Sequence, residues 1–285
     1  MALDQTWFSE PNETDGTAFS LKLGSKLHEE KSAFQTIEVY ETKTFGRLMV
    51  IDGYVMLTDR DNFLYHEMMT HPALYAHPNP KRVLVIGGGD CGSLKEVLRH
   101  PEVEEATQVE IDERVTRLSE QYFPALCASN GDPRARLVFD DGLAWVKNAA
   151  PGSLDVIIVD STDPIGPAQG LFNEPFYRDV HRALGENGIL VQQTESPILH
   201  LDKILLPCHD YMRSAGFADT VSLHFPQCVY PGGWWTATMA GKGDYIRRFR
   251  EEDAQARSFP TRYYNEGIHR AALAQPQFMI DRGYR

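Results

Sequence analysis

Two aspartates three residues apart, Asp160 and Asp163, stand in the run Asp160-Ser161-Thr162-Asp163-Pro164-Ile165-Gly166-Pro167, directly behind the apolar stretch Leu154 to Val159. Carboxylates that leave a buried strand are costly unless a cation or hydrogen bonds meet them. A cationic ligand would resolve that cost, and the competing reading is Asp-Pro turn chemistry. A second group follows Val83 to Ile86: Gly87-Gly88-Gly89-Asp90-Cys91-Gly92. Glycines there permit positive φ and close approach of a ligand to the backbone. The spacing satisfies G-x-G-x-x-G, and Glu110 lies 21 residues beyond Gly89, where such sites place an acid for ribose hydroxyls. The pattern suits nicotinamide and S-adenosylmethionine ligands alike, and a tight strand-to-helix turn without a ligand fits it too. Asp90 shifts the balance, because its charge repels a pyrophosphate and attracts an amine or a sulfonium. Asp140-Asp141-Gly142 offers a carboxylate either to an adenine amino group or to a turn.

These residues must be carried by particular elements. Gln35 to Tyr40 alternates in polarity as a half-buried strand does, and Asp52-Gly53 between Phe45–Ile51 and Tyr54–Leu57 reads as a hairpin turn. Asp59 to Asn62 supplies helix caps for Phe63 to Thr70, and Pro72 is expected to break or kink that helix. His77-Pro-Asn-Pro80 reads as a linker. From Arg82 strands and helices alternate: strands at 83–86, 106–110, 136–139, 154–159 and 188–192, helices at 93–99 and 113–122. Ser93 with Glu96 suggests a capping box. Apolar runs at 220–225 and 234–239 would close the sheet. Strands separated by helices imply a doubly wound α/β domain, behind a first third that reads as β. Ligands of such sheets sit past the carboxyl ends of the strands, where the polar residues above all fall.

The 285 residues, 42% of them hydrophobic, suffice for a large core. No run approaches the roughly 18 apolar residues of a membrane span, and Met1 to Phe19 lacks the basic start and apolar stretch of a signal peptide, so a cytoplasmic protein is expected. The net charge of −12 argues against nucleic acid and is compatible with cationic substrates. Cys91, Cys127, Cys208 and Cys228 are too widely spaced for a zinc site or a disulfide framework and read as packed thiols. His66-Glu67-Met-Met-Thr-His71 superficially suggests a zinc-protease helix, but histidines five apart point about 140° apart on a helix, so no metal is expected.

Gly-Gly-Gly-Asp after the first Rossmann strand, Glu-Ile-Asp after the second, Asp-Gly after the third and Asp-Ser-Thr-Asp-Pro-Ile-Gly-Pro after the fourth together resemble the spermidine synthase family of polyamine aminopropyltransferases. Tyr65-His66-Glu67-Met68, Gln193-Thr-Glu-Ser-Pro197, Tyr230-Pro-Gly-Gly-Trp-Trp235 and Tyr263-Tyr-Asn265 extend the resemblance over almost the whole chain. It implies an α/β fold, with a methyltransferase-like Rossmann domain at 77–285 and a small N-terminal β-rich domain at 1–76, and aminopropyl transfer from decarboxylated S-adenosylmethionine, a co-substrate and not a prosthetic group, to a diamine. Putrescine would yield spermidine and 5′-methylthioadenosine; cadaverine or a longer amine such as spermidine stays open as acceptor. By the same resemblance Glu110 would hold the ribose hydroxyls, Asp141 and Gly142 would face adenine, and Pro167 would touch the adenosine. Gln35, His66 and Asp90 would hold the methionine-derived end. Asp160 would be the catalytic proton acceptor, and Asp163 with Tyr65 and Tyr230 would bind the diamine. A homodimer or homotetramer is implied.

Charge supports the resemblance. Asp90 and Asp160 together would repel the methionine carboxylate of ordinary S-adenosylmethionine and accept the ammonium left once that carboxylate is gone. A class I methyltransferase, which shares the fold and the role of Glu110, does not need both acids. A nicotinamide oxidoreductase is disfavoured by Asp90, and a non-catalytic polyamine-binding protein by the intact pair Asp160 and Asp163. Cys91, Met56 and Thr194 stand where the family usually has Gly, Gln and Gly.

Overall fold

The computed structural model describes residues 3–164 and 166–284, without the side chain of Pro167. Five antiparallel strands come first, β1 (Trp7–Asn12), β2 (Thr17–Lys31), β3 (Thr36–Thr42), β4 (Arg47–Ile51) and β5 (Tyr54–Thr58), paired in chain order. Ile51 pairs with Tyr54 across the Asp52-Gly53 turn, and both turn residues have positive φ (50° and 89°). That is the two-residue hairpin whose twist matches its strands.

The remainder alternates: α1 (Asn62–Ala76), β6 (Arg82–Gly87), α2 (Gly92–Leu98), β7 (Glu105–Glu110), α3 (Glu113–Tyr122), β8 (Ala135–Phe139), α4 (Gly142–Asn148) and β9 (Leu154–Asp160). Then follow α5 (Glu174–Ala183), β10 (Leu184–Gln193), α6 (Leu206–Ser214), β11 (Asp219–Pro226) and β12 (Trp234–Gly241), and the short α7 (Glu251–Gln255), α8 (Glu266–Leu273) and α9 (Gln277–Ile280). The seven strands are ordered β11-β12-β10-β9-β6-β7-β8, with β12 antiparallel and the five from β10 to β8 mutually parallel. Chain order reverses between β6 and β9, which makes the ends of those two strands the topological switch point. Among the described residues no helix is long and apolar enough to cross a membrane.

Helix α1 departs from its expectation. It runs unbroken through Pro72, and every residue from Leu64 to Ala76 is buried. The lost amide costs a helix about 3 kcal/mol, which burial on all sides outweighs. Its Tyr65, Met68, Met69 and Leu74 share a core with Val83, Val85, Val156 and Ile158 of the large sheet, although the 1–76 reading grouped this helix with the β domain. Helix α2 departs as well. Its N-cap is Cys91, with no side-chain cap bond; Ser93 and Glu96 form no capping box because both are drawn elsewhere. Ser93 Oγ donates to Asp160, and Glu96 pairs with Arg99 (2.8 Å) and His71 (3.2 Å). Asp61 is the N-cap residue of α1, yet its carboxylate accepts from Thr58 Oγ1 (2.5 Å) and caps nothing.

One face of the β domain packs Ile37, Met49, Ile51 and Leu57 onto Val115, Leu118 and Phe123 around α3. The other packs Phe8, Leu48, Val50 and Val55 with Val229. Arg114 holds Glu30 through two bonds (2.6 and 3.0 Å), and Ser32 Oγ donates to Asp112 (2.6 Å). The β domain is thereby seated over the carboxyl edge of the parallel strands.

Candidate active site

Parallel register brings the functional segments together. Gly87 lies opposite Asp160, and Glu110 opposite Phe139, so the loops after β6, β9, β7 and β8 open on one edge. A cavity of about 190 Å³ lies there, roofed by Met49, Ile51 and Val55 to Leu57. Gly87 is required by this closeness: it has φ of 78°, and a Cβ on it would stand 2.3 Å from the carbonyl oxygen of Asp160.

Asp160 is the most heavily supported side chain in the cavity. Tyr65 donates to its Oδ1 (2.7 Å) and Ser93 to its Oδ2 (2.6 Å). Burial and the charge of Asp90 raise its pKa, against the pull of His66 and the two hydroxyls. Asp90 goes the other way. Burial pushes it up, but the His66 charge, the bond from His66 Nε2 (3.2 Å) and the Gly92 amide (2.6 Å) outweigh burial, and its carboxyl falls below the ordinary value. Burial lowers His66, but the charge and hydrogen bond of Asp90, with the charges of Asp160 and Glu96, together outweigh it and raise its pKa. Gly92 makes room for this pair, since a Cβ there would lie 2.2 Å from the imidazole. His66 itself does not line the cavity; it acts through Asp90. Glu110 lines the cavity, accepts from the Asp112 amide (2.9 Å), and is pushed by burial up to about 7.

A second acidic group emerges that motif reading passed over. Glu10 of β1 reaches the cavity, accepts from the Val55 amide (2.7 Å), and is pushed by burial up to about 7. Asp163 is raised to about 8, first by burial and then by the neighbouring charge and hydrogen bond of Glu195. Glu195 is buried and raised by burial, and it stands 3.2 Å from His200, which continues to Asp15 at 3.2 Å. Glu195 also holds φ of 68°, a left-handed conformation that costs a non-glycine residue about 1–2 kcal/mol. Such strain persists only where the surroundings impose it. The Gln193 side chain, which accepts the Glu195 amide at 3.2 Å, and the Thr236 amide on the Glu195 carbonyl at 3.0 Å supply that constraint. Nothing in the N-terminal sequence singled out Glu10; Glu195 stood inside a recognised motif without a role.

The other expected residues fall as follows. Gln35 lines the cavity, but its amide donates to Asp112 (3.0 Å), on the Glu110 side and not beside His66. Asp141 caps α4 through Leu143 N (2.9 Å) and lines the cavity with Gly142. The backbone of Pro167 lies in a 3-10 turn at Gly166–Leu171, and its side chain is outside the described residues. Tyr230 lines the cavity with its ring, because its hydroxyl is taken by the Met56 carbonyl (2.6 Å). Its ring meets Tyr65 edge-on at 5.9 Å and Trp235 at 4.7 Å. Trp235 is both core and wall. Thr194 bonds Thr236 and Thr238 across strands (3.0 and 2.9 Å), which gives its hydroxyl a structural use. The Tyr263-Tyr264 segment anchors α1 from behind: the amides of Arg262, Tyr263 and Tyr264 all donate to Glu67 (2.8, 2.8 and 2.7 Å). Among the described residues no group of three or more His, Cys, Asp or Glu could hold a metal ion.

Glu10, Asp90, Glu110, Asp141, Asp160 and Asp163 thus face one cavity, and no Lys, Arg or His is among its described lining residues. Apolar and aromatic walls close around them. Such a chamber suits a ligand that carries positive charge along with apolar carbon.

Comparison with known proteins agrees. The model of the spermine/spermidine synthase domain matches residues 62–248, and that of the spermidine synthase tetramerisation domain matches 6–59. The chain is 64% identical to the polyamine aminopropyltransferase of Thioalkalivibrio sulfidiphilus (strain HL-EbGR7) over 284 residues, covering 100% of both chains. It is 64% identical to that of Methylococcus capsulatus (strain ATCC 33009 / NCIMB 11132 / Bath) over 277 residues, covering 97% of this chain and 96% of the relative. A crystal structure of spermidine synthase in complex with the transition state analogue AdoDATO matches with TM-score 0.93 and 34% identity, over 99% of this chain and 96% of that one. Spermidine synthase from Thermotoga maritima matches with TM-score 0.91 and 34% identity, over 99% and 95%. The chain belongs to the spermine/spermidine synthase family and is an enzyme of the polyamine aminopropyltransferase type.

Proposed function

We propose that the enzyme transfers the aminopropyl group of decarboxylated S-adenosylmethionine to putrescine, forming spermidine and 5′-methylthioadenosine. The observation that carries this reading is the cavity with six carboxylates and no basic residue among its described lining. Glu110, tied through Asp112 to Gln35, would take the ribose hydroxyls, and Asp141 with Gly142 would meet adenine. Asp90, steadied by His66, would hold the donor's ammonium. Asp163 with Glu10 and Glu195 would hold the far ammonium of the diamine, while the rings of Tyr65, Tyr230 and Trp235 cover its methylenes. The near amine would lie at Asp160. It attacks the carbon next to the sulfonium, the carbon–sulfur bond breaks, and the electron pair returns to sulfur. Asp160 takes the amine proton, and its raised pKa brings it nearer to that task than an ordinary aspartate. In-line positioning of the two ligands contributes to the rate as well.

We infer that the division between the two domains falls near residue 60, ahead of α1, because α1 shares its core with the large sheet. Residues 6–59 would build a homodimer or homotetramer in the cytoplasm.

Incubation with decarboxylated S-adenosylmethionine and a panel of putrescine, cadaverine and spermidine tests the reading. Equimolar methylthioadenosine and spermidine are expected, fastest with putrescine. Adenosylhomocysteine and a methylated acceptor from ordinary S-adenosylmethionine would replace it with a methyltransferase.

The diamine should release protons as it binds. Near neutral pH, Asp163 at about 8 and Glu10 at about 7 hold protons in the free enzyme, and an ammonium group favours their ionised forms. At these two groups the native state therefore binds more protons than the unfolded chain between pH ~4 and ~8. Their contribution to the stability of the free enzyme accordingly falls as pH rises through that window, and diamine affinity rises. Calorimetry at pH 7 in two buffers of different ionisation enthalpy should find about one proton released per diamine. Zero release, with affinity flat from pH 6 to 8, would remove Asp163 and Glu10 from the amine site.

A further inference from the structure

Four free thiols are present, and two of them meet behind the glycine loop. Cys91 is buried and occupies the left-handed position (φ 67°, ψ 8°) between Asp90 and α2. Cys127 is half-buried in a 3-10 turn, Cys127–Ser129, packed against α2. Its Sγ donates to the carbonyl oxygen of Asp90 at 3.6 Å, on the peptide unit that also contains the Cys91 nitrogen. Cys91 Sγ lies 3.7 Å from the Gly89 carbonyl and 3.6 Å from Gln108 Nε2. The Cys127 sulfur thus sits against the peptide unit from which the Cys91 side chain springs. A left-handed cysteine costs about 1–2 kcal/mol that glycine in its place would not, and this one is spent beside a second sulfur.

We propose that Cys91 and Cys127 form a reversible disulfide when exposed to hydrogen peroxide, and that this bond shuts off aminopropyl transfer by displacing Asp90. The second half rests on the reading of Asp90 as the donor's anchor. The chemistry balances with peroxide alone. One sulfur attacks the peroxide, its S–H proton leaves with the cleaved O–O bond, and a sulfenic acid and water form. The second sulfur displaces the hydroxyl from the first; the S–S bond forms, and a second water departs with the remaining proton. Two thiols are oxidised and one peroxide is reduced. The neighbouring Cys127 holds the Cys91 thiol below its ordinary value, so Cys91 is the better first nucleophile. The half-exposed Cys127 side gives a small oxidant its way in.

The geometry supplies the switch. The two sulfurs must close to about 2.05 Å. Oxidation also consumes the S–H that supports the Asp90 carbonyl. Both changes act on the residue next to the carboxylate that His66 and the Gly92 amide hold in place. A misplacement of about 1 Å in a positioning group can cost about a hundredfold in rate.

The test uses the full chain, reduced with dithiothreitol and freed of it. Its transfer rate with decarboxylated S-adenosylmethionine and putrescine first checks the donor reading independently. Peroxide is then titrated in, and non-reducing peptide mass mapping follows the thiols while the rate is read in parallel. A linked peptide joining residues 91 and 127, two hydrogens lighter than its parts, should appear as the rate falls about a hundredfold, and dithiothreitol should reverse both. Cys127→Ala should keep its own rate under the same peroxide, whereas Cys228→Ser should lose it as the parent does. Failure of the linked peptide to form overturns the proposal without recourse to any variant. So does a linked enzyme that keeps its rate, or a Cys127→Ala enzyme that loses rate as the parent does.

Discussion

Asp160→Asn is expected to lower kcat for aminopropyl transfer about a thousandfold, within the span a positioned general base contributes. The side chain keeps its shape, and its remaining oxygen still accepts from Tyr65 or Ser93, which now reach Asp160 at 2.7 and 2.6 Å. Two things disappear: the site that takes the amine proton, and a negative charge at the attacking nitrogen. An alkylamine is almost wholly protonated near neutrality, with a pKa of about 10, so a carboxylate beside it is needed for the neutral nucleophile to arise in place. Folding should not suffer. Asp160 is buried against the charge of Asp90, and both effects raise its pKa, so its ionised form burdens the free enzyme. The melting temperature of the variant should hold or rise, because asparagine carries no charge to bury. Rapid-quench measurement of methylthioadenosine at saturating donor and putrescine reads the chemical step directly. A loss of less than tenfold would assign proton removal to another group or to solvent.

The elements that carry this site were legible because their signals are local. Continuous apolar runs at Val83–Ile86 and Val156–Val159 mark strands buried on both faces, and the polar residues that follow them line the cavity. Helix α1 was harder, because a helix buried on every side has no polar face to mark it. Its Pro72 suggested an end that tertiary packing overrode. The apparent capping box at Ser93 and Glu96 failed for a related reason. Local pairing competes with long-range partners, and Asp160 and His71 were the stronger claims. Glu10 could not be read from its neighbours at all. It reaches the site only because β1 and β2 lay the N-terminal hairpin against the chain, and that placement depends on tertiary contacts. Glu195 illustrates the same limit, since its left-handed backbone and its contact with Asp163 exist only once β10 and β12 have paired.

Asp90→Asn should strike the donor and not the acceptor. Asp90 is ionised throughout the working pH range, because His66 and the Gly92 amide hold its carboxyl below the ordinary value despite burial. An ammonium seated against it is a buried ion pair, and removal of one partner from such a pair costs about 3–5 kcal/mol. The expected loss in kcat/KM for decarboxylated S-adenosylmethionine is therefore about a thousandfold, with the KM for putrescine changed by less than about threefold. Ordinary S-adenosylmethionine should respond in the opposite direction. Its carboxylate meets the repulsion of Asp90 and Asp160 together, and asparagine removes one of those charges while adding a hydrogen-bond donor. Its inhibition constant should fall about tenfold, as about 1.4 kcal/mol of repulsion is relieved. The ratio between the two donors thus moves by about four powers of ten, which a general loosening of the loop cannot produce, because loosening weakens both. If both donors weaken in parallel, Asp90 only shapes the loop. The discrimination would then reside in Asp160, whose own asparagine variant can be put through the same pair of measurements.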